Sequence, residues 1–322
     1  MNKILILLIA LGLIIVGCTQ GGQQVGDTTN PFIGGTQGLD IGFLEGSPPG
    51  IVFDQGQFPF GVQVVLENVG EWDINAGEAK VTLVGVDPED FGRTGEQTVI
   101  VNEDIPGQEF DPDLNVIPGG ISFVDMGEWN YAGNVSGQTQ FFFRADICYQ
   151  YGLMSEAFLC IKDDLLDTQE TASGTKIVEP VCFVNEQKTV YNSGSPIQVA
   201  SLTESAQGND KIAFTFELQH RNVGLISRLG TECSDTIQDE DTIYVEVDTG
   251  LSGTLDCNGL DGPNEAGRDS GEVKLFNGHR IIRCVQQLSM PINSEFKKLV
   301  TIKAEFDYKD HVTTPVLVKH AG

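Results

Sequence analysis

Cysteine is the residue type in this sequence whose chemistry is easiest to predict. Six cysteines lie in the body of the chain, at positions 148, 160, 182, 233, 257 and 284. An even number of cysteines suits three disulfides formed in an oxidising compartment, although fifteen pairings are possible on paper. No two of the six have CxxC spacing and none is next to a histidine, so a zinc site is a poor alternative.

The seventh cysteine, Cys18, has a different context. It follows an apolar run over residues 4–17, which is preceded by Lys3 and ends on the small residue Gly17. Fourteen apolar residues are too few to span a bilayer comfortably, but they are typical of a signal peptide. We expect cleavage after residue 17 and a lipid on Cys18; an ordinary signal peptide or an N-terminal anchor with an incidental cysteine is the alternative. Stable attachment would need two acyl chains, because no polybasic patch assists.

Two tryptophans lie in matching contexts. GEWD at 70–73 and GEWN at 127–130 place Trp72 and Trp129 just after predicted strands. An exposed indole beside an acid could stack on a sugar ring. The alternative, which we favour, is that both tryptophans cap the core at a loop.

Two acidic stretches could hold calcium, the one cofactor considered for this chain. DPDLN at 111–115 and DTIQDED at 235–241 offer oxygen ligands. The aspartates concerned are Asp111, Asp113, Asp235, Asp239 and Asp241. Neither stretch has the glycine at position six or the glutamate at position twelve of an EF-hand loop. A calcium site made of sandwich end loops needs no linear motif, and solvated acidic loops are the alternative.

The charge of the chain excludes several partners. It carries 46 acidic against 19 basic residues, a net charge of −27. Such a field repels phosphate backbones and anionic headgroups, so we expect no nucleic-acid binding and membrane contact only through the lipid. No G-x-S-x-G, H-E-x-x-H, P-loop or Rossmann motif is present, so we expect no enzyme. The sequon NVS makes Asn134 a candidate for glycan attachment on an exposed loop.

The elements that must position these residues are predicted to be strands. Short segments of alternating apolar and polar residues are separated by glycine- and proline-rich turns, which is typical of antiparallel β-sandwiches. The segments with this alternation are 61–68, 79–86, 97–103, 138–151, 211–220, 241–248, 279–288 and 297–308.

An internal repeat predicts two copies of one domain. LENVG at 66–70 matches HRNVG at 220–224, an offset of 154. RADICYQY at 144–151 matches KAEFDYKD at 303–310, an offset of 159. Two matches in the same order at similar offsets indicate duplication. We therefore predict two tandem sandwiches, at 32–183 and 184–322, after a signal peptide at 1–17 and a flexible linker at 18–31.

The repeat also suggests a disulfide pairing. The offset of 159 places Cys148 on Asp307 and Cys160 on Lys319. If both segments are terminal hairpins, the paired positions face each other across two strands, so we predict a Cys148–Cys160 bond. Cys257 and Cys284 flank a glycine-rich acidic loop, and a bond between them would close it. Cys182–Cys233 follows by elimination.

Part of the sequence resembles known surface proteins. FIGGTQGLDIGFLEGSPPGIVFDQGQFPFGVQVVLENVGE at 32–71 resembles the opening of surface lipoproteins from small-genome archaea. More broadly, VQVVLENVG followed by AKVTLVG is similar to the cell-adhesion-related, immunoglobulin-like domains of prokaryotic surface proteins. The second copy keeps NVG but has no clear AKVTL equivalent. The resemblance implies a sandwich fold and extracellular binding or scaffolding.

These observations predict an all-β protein, lipid-anchored at the cell surface. Its expected role is adhesion or envelope architecture, with an extracellular protein or glycan as partner. The alternatives are a carbohydrate- or solute-binding lipoprotein, which requires a pocket or an aromatic platform, and an accessory subunit of a pilus-like assembly, which requires an unpaired edge strand.

Overall fold

The computed structural model describes residues 30–163, 165, 181–263, 265–289, 292 and 294–321. Over these residues the protein is all-β, as predicted; it has one short 3₁₀-helix, Pro88–Phe91, and no α-helix. None of the described residues forms an apolar helix of the length that a membrane crossing requires. The predictions for residues 1–29, including lipidation of Cys18, lie outside the described residues.

The described chain contains nineteen strands. Their bounds are β1 Leu39–Phe43, β2 Ile51–Phe53, β3 Phe60–Asn68, β4 Ala79–Val84, β5 Thr98–Ile100, β6 Glu109–Phe110, β7 Val116–Ile117, β8 Ile121–Trp129, β9 Gln138–Ile161, β10 Gln187–Lys188, β11 Val190–Asn192, β12 Ile197–Ala206, β13 Lys211–His220, β14 Leu225–Ser227, β15 Thr242–Asp248, β16 Leu255–Cys257, β17 Arg268–Lys274, β18 His279–Gln287 and β19 Phe296–Lys319.

The strands form three main sheets. One has the order β1-β3-β8 and a second the order β10-β12-β13-β18-β16. The third has nine strands, with the path β17-β15-β19-β9-β4-β5 and with β2, β11 and β14 paired beside it. β2 and β19 are parallel, and every other pair of described strands is antiparallel.

The strands β9 and β19 dominate the nine-stranded sheet. Each is 24 residues long, and they pair over their whole length, from Gln138 opposite Lys319 to Ile161 opposite Phe296. Buried and more exposed residues alternate along much of both strands, because successive side chains of a strand point to opposite faces. Near the centre Tyr149 lies opposite Tyr308, so the two copies of the repeat meet there in antiparallel register.

The three-stranded sheet β1-β3-β8 packs against the beginning of β9. Phe60 of β3 and Trp129 of β8 both contact Phe143 of β9, with ring centroids 6.1 and 5.5 Å apart. Phe91 of the 3₁₀-helix completes this aromatic cluster at 5.1 Å from Phe143. Inward-facing apolar side chains from two sheets make the core of a β-sandwich.

The five-stranded sheet covers the other end of the shared sheet. The carboxylate of Glu204 on β12 accepts the backbone N–H of Cys160 on β9 at 2.9 Å. Thr249, which follows β15, donates its hydroxyl to Gln286 of β18 at 2.7 Å. The buried apolar residues of both sandwiches form one continuous core.

The expected division at 183/184 is therefore not a division between compact units. Phe32–Gly322 form one such unit, because β9 and β19 each run through both sandwiches. The sequence shows two sandwiches correctly, but it does not show that they share a sheet.

The disulfides correct the prediction made from the repeat. Cys148 pairs with Cys233 and Cys160 pairs with Cys182, whereas Cys257 pairs with Cys284 as expected. The predicted Cys148–Cys160 bond is wrong because both residues lie on the single strand β9, which has no turn between them. Twelve residues of extended strand separate their Cα atoms by about 40 Å, far beyond the reach of a disulfide. The predicted Cys182–Cys233 pairing is wrong as well, because it was inferred by elimination from the Cys148–Cys160 pairing.

Candidate functional site

Trp129 is not a ligand platform. Its side chain is 1% exposed, and its indole N–H donates to the carbonyl of Met126 at 3.1 Å. The guanidinium of Arg93 lies 5.4 Å from the ring centroid. The indole is thus a core residue with its polar group satisfied, as the favoured interpretation expects, and the alternative of a sugar-binding Trp129 is wrong.

Trp72 is half-buried, and its ring is occupied by contacts within the protein. The ring lies against the backbone of Gly152 on β9, where a Cβ would be only 2.5 Å from it. The ammonium of Lys303 on β19 lies 5.2 Å from the ring centroid, in cation–π range. Trp72 therefore packs a loop of the first sandwich onto strands that continue into the second, and the pair of aromatics does not form a shared platform.

The first candidate calcium loop is organised by its own backbone. Asp111 accepts the N–H groups of Asp113 and Asn115 at 2.9 and 2.8 Å, and the side-chain amide of Asn115 at 3.0 Å. These hydrogen bonds, led by the Asn115 amide, lower the pKa of Asp111. The carboxylate shapes a tight turn in the way Asx turns do.

The second candidate loop does not gather its carboxylates either. Asp235 lies 3.3 Å from Lys309, and Asp239 accepts the hydroxyl of Thr236 and lies 3.2 Å from Arg228. Across the described residues, only one group of three or more potential metal ligands converges: Cys160, Cys182 and Glu295. Both cysteines are in a disulfide, so this group offers no thiolates. Among the described residues, Asp111, Asp113, Asp235, Asp239 and Asp241 do not converge in a group of three or more ligands, and calcium binding stays a prediction.

The loop that carries Cys233 clamps the two sandwiches together. Buried Asp307 of β19 accepts the N–H groups of Gly230 and Cys233 at 2.9 and 3.2 Å. Cys233 bonds Cys148, and Glu232 pairs with Lys80 of β4 at 2.8 Å. These contacts are structural: they fasten a loop of the second repeat onto strands of the first.

Asn134 lies in an exposed loop between β8 and β9. Its neighbour Val135 is buried and donates its N–H to Asp54 at 2.9 Å. The sequon is therefore held by an ordered backbone while its asparagine faces solvent. Glycan attachment at Asn134 remains a prediction.

A polar cleft of about 640 Å³ lies where the chain crosses from the five-stranded sheet to the shared sheet. Its walls come from β10, β11, β12, Thr36 and Arg221. Two hydrogen bonds join the lining residues Asn192 and Val199. The side-chain carbonyl of Asn192 accepts the N–H of Val199 at 2.9 Å, and its amide donates to the carbonyl of Val199 at 3.2 Å. The side-chain amide of Asn222 donates a hydrogen bond to the backbone carbonyl of Thr36 at 3.1 Å. The cleft is therefore preformed by hydrogen bonds between separate segments.

Lys188 contributes surface to this cleft but no free charge. Its ammonium is paired with Glu204 at 2.9 Å and with Glu186 at 2.8 Å. Glu204 is fully buried, and burial raises its pKa although Lys188 opposes the shift. A buried carboxylate of this kind requires its partner, so the pair fixes β10 against β12.

Arg221 is the residue at this site that sequence reasoning did not single out. It lies within HRNVG, the segment used for the repeat, and its exposed side chain lines the cleft. The repeat directed attention to the asparagine and glycine of that segment. The only signal for Arg221 was an arginine in a chain with few basic residues.

Comparisons with known proteins add little about function. No protein-family model matches the chain. No curated protein matches it either. A solved structure described as "Enterococcal surface protein, partial N-terminal region" matches over 83% of this chain and 89% of that chain, with 9% sequence identity and a TM-score of 0.17. At this TM-score the likeness carries no argument. The all-β fold itself is compatible with a non-catalytic role at a surface.

Proposed function

We propose that this protein is a non-catalytic binding and structural protein of the cell surface, held to the membrane by a lipid on Cys18. Its expected partner is an extracellular protein or glycan, in adhesion or in the architecture of the envelope. The similarity of residues 32–71 to archaeal surface lipoproteins supports the proposal, as do the acidic charge and the signal-like segment at 1–17.

The observation that carries the proposal is the disulfide bonding of the described chain. All six cysteines of the body are in disulfides, and Cys148–Cys233 joins strands and loops 85 residues apart in sequence. Disulfides of this kind persist in oxidising compartments, outside the cytoplasm.

The shared strands suit a scaffolding role. A strand of 24 residues extends for about 80 Å, and β9 pairs with β19 along its whole length. The surfaces of the two sandwiches are therefore held at a fixed spacing. A rigid body of this kind can present binding sites without the entropy cost of ordering a hinge.

Localisation in the native host tests the proposal. Intact cells would be treated with a membrane-impermeant amine label and with protease, then fractionated, and the N-terminal peptide would be identified by mass spectrometry. We expect labelling and cleavage in intact cells, and a mature chain that starts at lipid-modified Cys18.

A matched pair of variants sharpens the experiment. Cys18→Ser removes the acceptor thiol and should move the protein out of the membrane fraction, whereas Thr19→Ser should leave it there. A protein that stays inaccessible in intact cells would contradict the surface location. A Cys18→Ser protein that remains in the membrane would contradict the lipid anchor.

A further inference from the structure

The polar cleft beside Arg221 differs in charge from the rest of the molecule. The protein has 46 acidic residues, yet no aspartate or glutamate is among the described residues that line the cleft. An anion approaching most of this surface would meet repulsion from carboxylates. At this cleft no carboxylate belongs to the described lining residues, and the nearby carboxylates of Glu186 and Glu204 are paired with the ammonium of Lys188.

Arg221 supplies a positive charge with no side-chain partner among the residues that the structure describes. All seven arginines of the chain lie in the described part, and the other six have side-chain partners there, in hydrogen bonds, ion pairs or a ring contact. The guanidinium of Arg221 has none among the described residues, while its backbone N–H is fixed to the carbonyl of Pro196 at 2.8 Å. A planar guanidinium of this kind matches a carboxylate with two parallel hydrogen bonds.

The rest of the lining offers hydrogen-bonding groups to a ligand. The hydroxyls of Thr36, Thr189 and Ser201 form no hydrogen bond with another described residue. Gln198 uses its amide N–H₂ on the carbonyls of Gly35, Ser193 and Ser195, which fixes the side chain while no described donor reaches its oxygen. Ala200 lies in a bulge between Val199 and Ser201 and has no partner on β13.

We propose that this cleft binds a sugar acid, such as a uronic-acid residue of an acidic polysaccharide. The carboxylate pairs with Arg221, and the ring hydroxyls exchange hydrogen bonds with the threonine and serine hydroxyls and with the oxygen of Gln198. The described lining residues include no aromatic one, so recognition of the sugar rests on charge and hydrogen bonds instead of stacking.

The bulge favours a sugar acid over an acidic peptide. A peptide that adds to a sheet needs a regular strand edge with evenly spaced N–H and C=O groups. The bulge at Ala200 interrupts that spacing, and β10 already pairs with Leu202 and Thr203 at one end. Bulges of this type protect an edge from strand addition.

This inference rests on the proposed function in one respect, since the polysaccharide is met outside the cell. The binding experiment does not depend on localisation, because it uses the purified full-length protein in detergent with its disulfides intact. Calorimetric titration with trigalacturonate, with a neutral galactose trisaccharide as the control, measures the affinity directly. We expect binding of the acidic trisaccharide that is at least tenfold tighter than binding of the neutral one.

Substitutions locate the binding in the cleft. Arg221→Gln should weaken trigalacturonate binding by about tenfold or more, and Arg221→Lys should retain part of it. Arg283→Gln removes the same charge from an exposed position on β18 and should change nothing. Ser201→Asp should abolish binding by placing a carboxylate in the cleft, whereas Thr203→Asp, two residues along β12, should not.

Three results would overturn the proposal: equal affinity for the neutral sugar, no measurable binding of trigalacturonate, or an Arg221→Gln protein that binds like the unmodified one. Titration with a short aspartate-rich peptide separates the remaining class of ligand. Peptide binding that is lost in Arg221→Gln, together with no sugar binding, would replace the sugar acid by a peptide. Near-UV circular dichroism of each variant confirms that its packing is unchanged before the affinities are compared.

Discussion

Asp54 shows how one buried carboxylate can fasten the end of a strand. It is fully buried at the end of β2 and accepts the backbone N–H of Ala321 at 2.7 Å, His320 Nδ1 at 2.9 Å and the N–H of Val135 at 2.9 Å. Burial opposes ionisation, but these hydrogen bonds outweigh it and lower the pKa of Asp54 from 3.8 to about 2. The end of β19 is thereby attached to the loops of the first sandwich.

This pKa predicts a pH dependence of stability. A carboxyl group whose pKa is lower in the folded state stabilises the fold above its unfolded pKa, and that contribution is lost as the pH falls. For Asp54 the loss should occur between about pH 4 and pH 2. Asp54→Asn should therefore lower the urea midpoint at pH 6, and the difference from the unmodified protein should shrink as the pH approaches 2.

Asp40→Asn serves as the control for this prediction. Asp40 is exposed and its carboxylate accepts the neighbouring N–H of Ile41, so its removal should have a small effect at every pH. If Asp54→Asn and Asp40→Asn give the same profile, the hydrogen bonds of Asp54 do not stabilise the fold.

At the scale of elements, each NVG turn contacts a tyrosine of a long strand, although Tyr151 and Tyr308 do not occupy matching positions of the repeat. Gly70, after β3, lies against the hydroxyl of Tyr151 on β9, and Gly224, after β13, lies against the hydroxyl of Tyr308 on β19. The N–H of Gly224 donates to that hydroxyl at 2.9 Å, and Asn68 accepts the hydroxyl of Tyr151 at 3.1 Å. Burial raises the pKa of both tyrosines, which keeps them neutral. The glycines are needed because the turns approach the long strands so closely.

Gly70→Ala should therefore destabilise the protein. A Cβ there would lie 2.0 Å from the Tyr151 hydroxyl and 2.6 Å from the carbonyl oxygens of Gln37 and Gly194, and backbone atoms cannot move away easily. We expect a loss of about 1–3 kcal/mol in the free energy of unfolding. Gly42→Ala, with no atom within 4 Å of its Cβ, should be neutral within about 0.5 kcal/mol. Urea denaturation of both variants checks this, and equal midpoints would show that the turn has room to relax.

At the scale of the whole molecule, Cys148–Cys233 connects the two repeats and Cys257–Cys284 lies within the second. They close 85 and 27 residues, so chain entropy predicts that the first contributes more. Replacing both Cys148 and Cys233 by alanine should lower the free energy of unfolding by about 2–5 kcal/mol.

Peptide mapping without reduction should recover Cys148 linked to Cys233 and Cys160 linked to Cys182. Any other partner would contradict the structure.

The shared sheet predicts that neither sandwich folds alone. Fragments 32–183 and 184–322 each contain one of the two long strands, and each would expose an edge 24 residues long. We expect both fragments to lack near-UV circular dichroism and to be cleaved rapidly by protease, while the whole chain unfolds in one transition. A fragment that unfolds cooperatively on its own would show that the sandwiches are independent domains after all.

Local pattern determined much of this fold. The alternation of apolar and polar residues identified β13 over 211–220 with its observed bounds, and it located β3, β4, β15 and β18 within two residues at each end. It failed at the ends of the long strands, where β9 was expected to stop at 151 and β19 at 308. Gly152 and Pro315 look like strand breakers in sequence. In the structure Gly152 makes room for Trp72, and Pro315 is accommodated opposite Phe142.

The sequence by itself determined the all-β class, the repeated NVG turns and the Cys257–Cys284 pair, because each depends on residues near one another along the chain or on a short periodic pattern. Only the tertiary structure decided that the repeats share a sheet, that Cys148 reaches Cys233, and that Arg221 lines a cleft with no acid among its described lining residues. These features depend on strand register between segments far apart in sequence, which local alternation does not encode.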